Sequence, residues 1–283
     1  MGRAFVRIAR PGNSFAVGVL ALAACLAAGA GRGFAPSVVM AVLGSSLVAA
    51  GGYVLNDLFD RETDRLTHPE RVLPRREMSI GTARTYALVL LIGAPMLFLF
   101  VNPLSFVNAL LAALLLGLYS WKLKSRAGAL GNLAVALLAS NNALIGGFVV
   151  GKLDRVVPLA LCVFFATLAR EIVKDVQDLP GDSAARARTA PMLIGRGRAS
   201  RLAALFLGLA IPATYLPYQQ DVFGPAYLIA ASMVNVGVLY TDVRLALSGG
   251  ERAGRIQQFI KAEMFLYILI FLLAALFNEV QTG

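Results

Sequence analysis

Most of the acidic side chains lie in two short segments, and these are the residues whose types and spacing could do chemistry. Ten of the 16 Asp and Glu residues fall between positions 57 and 77 or between positions 171 and 182. The oxygen-donor candidates are Asn56, Asp57, Asp60 and Asp64 in the first segment and Asp175, Asp178 and Asp182 in the second. Because residues three or four apart share one face of a helix, each set would form one carboxylate-lined surface if its segment were helical.

A divalent cation would stabilise such surfaces. Carboxylates at helical spacing repel one another, and a cation bound between them removes that repulsion. Ligand sets made only of oxygen atoms suit Mg²⁺, which keeps several waters and commonly shares its coordination sphere with substrate phosphates. A solvated loop whose acids offset neighbouring arginines is the simpler alternative. The chain has two such segments, and they follow the second and the sixth of the long apolar runs that recur along the sequence. This equivalence favours the metal–phosphate interpretation.

The elements that must position these acids are membrane-spanning helices. Hydrophobic residues make up 58% of the 283 residues and charged residues only 15%, against about a quarter in soluble domains. Apolar runs long enough to cross ~30 Å of hydrocarbon recur along the chain. The sequence therefore predicts an all-α integral membrane protein with one domain over residues 1–283, a bundle of nine transmembrane helices, and the two acidic segments as loops that cap a central cavity. The nine predicted spans are 13–31, 37–55, 83–101, 103–121, 128–150, 156–174, 201–217, 224–243 and 258–277.

The distribution of positive charge predicts the orientation. Of the 26 Lys and Arg residues, only Arg32, Lys152 and Arg155 fall on the side opposite to the N-terminal tail. By the positive-inside rule the N-terminus and both acidic segments are cytoplasmic, in a multi-pass protein of the cell membrane. The net charge of +10 thus reflects topology, and no loop supplies the solvated basic face of a nucleic-acid-binding protein. A cleaved signal peptide ending near "LAAC" at 22–25 would reverse the fit of the later loops to this rule, so the uncleaved topology is favoured.

The two motifs resemble those of the UbiA superfamily of intramembrane prenyltransferases, and the resemblance covers essentially the whole chain. The first reads N-D-x-x-D-x-x-x-D after the second predicted span, and the second reads D-x-x-D-x-x-x-D after the sixth. The resemblance implies that Mg²⁺ ions bridge a prenyl diphosphate to the motifs, with Asp60, Asp64, Asp178 and Asp182 central to catalysis. An allylic carbocation would then meet a nucleophile from a membrane-associated acceptor, inside a cavity that excludes water.

The resemblance extends to residues that would contact the diphosphate. Tyr119 and Lys124 in "YSWKLK" resemble the Tyr and Lys that grip it in this family, although a basic and aromatic membrane-interface anchor is the alternative. Arg71 in "HPERVLP" takes the place of a family arginine, in a segment that departs from the usual "RPDRPIP"-like pattern. Arg170 and Lys174 would either meet the phosphates or hold the Asp side chains in place.

Two further stretches concern the acceptor. "RPGN" at Arg10–Asn13, and "REIVKDVQDLPGD" followed by "RARTAPMLIG", resemble the archaeal-type branch that transfers a geranylgeranyl group to geranylgeranylglyceryl phosphate. Arg10 and Asn13 are then substrate-binding candidates, and Arg186 and Arg188 could meet the phosphate of the acceptor. An aromatic prenyltransferase of quinone or chlorophyll biosynthesis is the alternative within the family. A cation-coupled transporter is the alternative outside it, and the lack of a central Asp or Glu in any predicted span argues against it.

Overall fold

The computed structural model describes residues 2–123, 128–184 and 189–282, and the regular secondary structure in these ranges is entirely helical. Two 3₁₀ segments (Arg32–Phe34 and Leu97–Phe100) and a π-helical turn (Tyr119–Leu123) accompany the α-helices. The α-helices are α1 (Gly2–Ile8), α2 (Pro11–Ala27), α3 (Ala35–Thr67), α4 (Ile80–Met96), α5 (Pro103–Leu118), α6 (Ala129–Val150), α7 (Val157–Ala184), α8 (Ala190–Ile194), α9 (Arg196–Gln219), α10 (Pro225–Ser248) and α11 (Ala253–Thr282).

Seven of the described helices are long and apolar enough to cross a membrane, and the bent pair α1–α2 brings the number to eight. The remaining predicted span, 156–174, corresponds to α7. The first 18 residues of α7 include three charged side chains, Arg170, Glu171 and Lys174. The membrane character of the chain is therefore confirmed, whereas the number of nine spans is not.

Both acidic motifs are helical, so the prediction that they are loops is wrong. Asn56 to Asp64 lie within α3, which continues to Thr67, and Asp175 to Asp182 lie within α7, which continues to Ala184. The segment 56–67 contains neither Gly nor Pro to end the helix. In α7 the helix continues through Pro180, although proline is unfavourable in a helix interior.

The helices pack around two main cores. The larger one joins α2, α6, α7, α9, α10 and α11, and the smaller one joins α1, α3, α4 and the connection that follows α3. Small residues allow close backbone contact, as membrane helices require. A Cβ on Gly146 of α6 would lie 2.1 Å from the carbonyl carbon of Ala24 in α2. The first acidic motif belongs to the smaller core and the second to the larger one, so the site forms where the two cores meet.

Candidate active site

The first motif has two of its carboxylates buried against arginines. Asp57 and Asp64 are seven residues apart on α3 and are only 4% and 3% exposed. Arg71 Nη1 donates to both carboxylate oxygens of Asp64 at 2.6 Å and lies 3.6 Å from Oδ1 of Asp57. Arg10 donates a short hydrogen bond to Oδ1 of Asp57. Two arginines from outside α3 therefore neutralise this side of the motif.

The other side of the first motif is an amide–carboxylate pair. Asn56 Nδ2 donates to Oδ2 of Asp60 at 2.9 Å. At about 100° per residue, Asn56 and Asp60 lie on one edge of the motif and Asp57 and Asp64 on the other. The structure thus divides the motif into two pairs, whereas the spacing predicted one surface of Asn56, Asp60 and Asp64.

The second motif contains the same kind of amide–carboxylate pair, made between helices. Asn132 of α6 donates to Oδ2 of Asp175 at 2.7 Å. Asp178 is exposed. The side chain of Asp182 lies outside the part of the structure that is described. Among the predicted ligands, Asp60 and Asp175 are thus the two whose carboxylates accept from an amide.

Glu171 is a further acid of this site, which the motif pattern did not include. It is 7% exposed and accepts from Lys174 at 2.7 Å and from Arg170 at 3.2 Å. Arg170 and Lys174 therefore pair with a glutamate, whereas the sequence predicted that they would meet the phosphates or hold the Asp side chains. Glu171 precedes Asp175 by four residues, so extending the helical spacing by one step would have found it.

Two tyrosines connect the motifs, which are far apart in sequence. The Tyr119 hydroxyl interacts electrostatically with Glu171, Asp60 and Asp175, that is, with acids of both α7 and α3. Tyr119 is also the first residue of the π-helical turn, and such turns are frequent at functional sites. Lys124, the other predicted diphosphate ligand of this region, lies outside the described residues, as do Arg186 and Arg188.

Tyr53 makes a similar connection from α3. Its hydroxyl interacts with Arg10, Arg170 and Glu171, and the Arg10 guanidinium lies 5.1 Å from the centroid of its ring. Arg10 adopts the left-handed backbone conformation (φ 48°) at the start of α2. A residue other than glycine in this region is strained, and such strain is often found at functional sites. The bend between α1 and α2 therefore carries Arg10 into the acidic site.

A cavity of about 280 Å³ adjoins the acidic site. Asn13, Tyr53 and Arg170 line it, so the cavity begins where the acidic residues lie. Most of the wall is apolar and comes from α2, α7, α9 and α11, with Leu20, Leu159, Val163, Leu207, Ile260 and Ile268 as examples. The arrangement combines a charged mouth with a pocket that suits a hydrocarbon chain.

The oxygen donors of this site suit a divalent cation that is shared with a substrate. Within the described ranges, no three His, Cys, Asp or Glu side chains come together as a complete metal site. Mg²⁺ does not need one, because it commonly takes one or two carboxylates together with water and substrate phosphates. Asp60 of α3 and Asp175 of α7, which both interact electrostatically with Tyr119, offer carboxylates of this kind from two helices.

A family model of the UbiA prenyltransferase family matches residues 17–277. The chain belongs to this family. It is therefore a membrane prenyltransferase, and the transporter alternative is excluded.

Similar proteins are known among archaeal enzymes. Digeranylgeranylglyceryl phosphate synthase of Thermococcus kodakarensis is 36% identical, over 97% of this chain and 98% of its own length. The synthase of the same name from Halobacterium salinarum is 37% identical, over 94% and 96%.

Solved structures agree with this family assignment. A structure of a digeranylgeranylglyceryl phosphate synthase superposes with a TM-score of 0.83 at 28% identity, over 96% of this chain and 98% of the other. A UbiA homologue from Archaeoglobus fulgidus bound to GPP and Mg²⁺ has a TM-score of 0.63 at 16% identity, over 96% and 99%. At 16% identity, the likeness to the Archaeoglobus fulgidus protein shows the fold alone.

Proposed function

We propose that this chain transfers a geranylgeranyl group from geranylgeranyl diphosphate to the hydroxyl group of geranylgeranylglyceryl phosphate, with release of diphosphate. The main support is its identity of 36% to the synthase of Thermococcus kodakarensis, sustained over 97% of the chain. The product would carry the second ether bond of an ether lipid, so the enzyme would act in lipid biosynthesis.

Mg²⁺ is the proposed cofactor. Asp60 and Asp175 would hold it together with Asn56, Asp57, Asp64, Asp178 and Asp182, as the motif resemblance implies. When bound, it would neutralise the charge that develops on the leaving diphosphate. Asp57 and Asp64 already have arginine partners, so we expect them to contribute less to the metal than Asp60 and Asp175.

The cationic and hydroxyl groups around the motifs would orient the diphosphate. A guanidinium has five N–H donors, so Arg10 and Arg71 can each hold a carboxylate and still donate to a phosphate oxygen. Tyr119 interacts electrostatically with acids of both motifs, and its hydroxyl group can donate to the same diphosphate. Lys124, Arg170 and Lys174 would complete this set of diphosphate contacts.

The apolar cavity would hold the prenyl chain and exclude water. Breaking the bond between C1 and the diphosphate oxygen leaves an allylic cation, which water would quench. Asn13 and Tyr53 are polar residues of the cavity lining and would lie beside this carbon chain. The cavity therefore directs the cation to the acceptor hydroxyl.

We further propose nine spans in one domain over residues 1–283, with a cytoplasmic N-terminus and a cytoplasmic active site in the cell membrane. The ninth span would be α7, whose Glu171 is paired with Arg170 and Lys174. Pairing lowers the cost of placing these charges near the lipid boundary.

The test is an acceptor panel with purified protein in lipid nanodiscs. Geranylgeranyl diphosphate is supplied with Mg²⁺ and either geranylgeranylglyceryl phosphate, 4-hydroxybenzoate or a dihydroxynaphthoate, and products are identified by mass spectrometry. We expect a product with the first acceptor only, and none when EDTA removes the metal. A product formed only with an aromatic acceptor would reject the proposal and favour quinone biosynthesis.

A further inference from the structure

The cytoplasmic half of α11 presents two charged side chains to the cavity, and neither belongs to the acidic motifs. Lys261 and Glu263 both line the cavity wall. Glu263 is a carboxylate inside a helix that is apolar enough to span the membrane, and it lies outside the pattern of the two acidic motifs. Ionisable side chains at such depth are costly and commonly mark a functional site.

Glu263 has one carboxylate oxygen in use and one without a partner. Oε1 accepts from the Thr241 hydroxyl of α10 at 2.6 Å. Oε2 is buried and has no hydrogen-bond partner in the described part of the chain. Buried polar atoms are nearly always hydrogen-bonded, so the unpaired oxygen of a carboxylate residue that lines a cavity is a candidate acceptor for a ligand that donates.

This wall is distinct from the diphosphate site. A Cβ on Gly254 of α11 would lie 3.5 Å from the Gln177 side chain of α7, and Met264 packs near Cys162, so the two helices run antiparallel. Gly254 and Gln177 therefore lie at the same depth in the membrane. Glu263 lies nine residues after Gly254, and Asp175 lies two residues before Gln177, so both are deeper than this level. At 1.5 Å per residue, Glu263 is about 10 Å deeper than Asp175.

Lys261 lies two residues before Glu263, about 3 Å closer to the cytoplasmic end of α11. It makes no ion pair with any described residue. Lys261 is thus nearer the cytoplasm and Glu263 is deeper in the membrane. An acceptor whose phosphate faces the cytoplasm and whose hydroxyl group lies deeper matches this order.

We propose that α11 provides the polar part of the acceptor site, with Glu263 at the acceptor hydroxyl and Lys261 at the acceptor phosphate. This rests on the proposed function. Glu263 Oε2 accepts a hydrogen bond from the hydroxyl and takes its proton as the acceptor oxygen bonds to C1 of the prenyl group. The bond between C1 and the diphosphate oxygen breaks, and its electron pair leaves with the diphosphate.

The test compares Glu263→Gln and Lys261→Met with wild type on two acceptors, geranylgeranylglyceryl phosphate and geranylgeranylglycerol, which lacks the phosphate. Asp242→Asn is the matched control for Glu263. Asp242 is also an acid in a membrane-spanning helix with an unpaired buried oxygen, but it does not line the cavity. Hydrolysis of geranylgeranyl diphosphate without acceptor is measured for every variant, because it reports a folded diphosphate site.

We expect Glu263→Gln to lower kcat for both acceptors by about 100-fold, the lower range for a general base. The KM for geranylgeranyl diphosphate and its hydrolysis should stay near wild type, and Asp242→Asn should keep the wild-type kcat. Lys261→Met should raise the KM for the phosphorylated acceptor by roughly tenfold, as for loss of a charge-assisted phosphate contact. It should leave the KM for geranylgeranylglycerol unchanged.

Four results would overturn the inference in whole or in part. Wild-type kcat in Glu263→Gln excludes the proton-accepting role, and parallel loss of hydrolysis assigns Glu263 to folding. An equal rise of KM for both acceptors in Lys261→Met assigns Lys261 to membrane anchoring. If wild type accepts only acceptors without a phosphate, the proposed function and the Lys261 role both fail. The Glu263 role is then decided by the same kcat comparison with the acceptor that is used.

Discussion

The two acidic motifs are held in place in different ways. On α3, Asp57 and Asp64 pair with Arg10 and Arg71, which come from other parts of the chain. On α7, Glu171 pairs with two cations of its own helix. The first motif therefore depends on distant segments for its charge balance, whereas the second is largely self-contained. What the motifs share is a carboxylate that accepts from an asparagine amide.

The shared feature should dominate activity. Asp60→Ala and Asp175→Ala each remove a carboxylate that we assign to the metal, and we expect either change to lower kcat by about 10³-fold or more. Both are measured by diphosphate release with Mg²⁺ in excess. Turnover within tenfold of wild type in either variant would show that the two motifs are not equivalent halves of one site.

The difference between the motifs should be largest in stability. Arg71→Ala leaves the buried Asp64 carboxylate without its bidentate partner, and breaking a buried pair costs about 3 kcal/mol. Lys174→Ala is the matched change on α7. Glu171 keeps Arg170 there, and the half-exposed lysine contributes less than about 1 kcal/mol. Thermal unfolding in detergent compares the stability of the two variants. Equal losses of stability would mean that the two motifs do not differ in what holds their acids.

Besides the hydrogen bond from Asn132 to Asp175, the second motif has a remote contact at the turn between α10 and α11. Gly250 has a φ of +88°, and a Cβ there would lie 2.6 Å from Cγ1 of Val176, next to Asp175. We expect Gly250→Ala to destabilise the protein by about 2 kcal/mol. Gly249→Ala is the control, since Gly249 also has a positive φ (+56°) but meets nothing within 4 Å.

If Gly249→Ala loses as much stability as Gly250→Ala, the loss in Gly250→Ala is due to backbone strain alone and not to the contact with Val176. In that case the turn between α10 and α11 would not support the second motif, and the contrast with the first motif would be sharper.

The smallest effect is expected at the surface beside the first motif. Arg7 of α1 donates to both carboxylate oxygens of Glu77, at 2.8 and 2.7 Å. Both side chains are partly exposed, and exposed pairs contribute less than about 1 kcal/mol. We expect Glu77→Gln to lower the unfolding temperature only slightly. This small decrease should become smaller still in 0.5 M salt, which screens the ion pair. A large loss would mean that α1 is held to the bundle mainly by this pair.

The sequence alone was sufficient for the class of the protein, and it also carries the proposal for where its chemistry takes place. Long apolar runs can only be membrane helices, because lipid offers no partner for an unpaired backbone group. The positions of Asp60 and Asp175 follow from the spacing of the acids, because the helical repeat is a local property of the chain. The family resemblance rested on these same features.

Tertiary structure alone decided which partner each acid has. The bend at Arg10 brings that arginine to Asp57, and the connection after α3 brings Arg71 to Asp64. Neither contact follows from spacing, because each joins segments whose approach depends on the packing of the whole bundle. The same is true of Glu263, since sequence places it in an apolar helix but only the packing of α11 turns it toward the cavity.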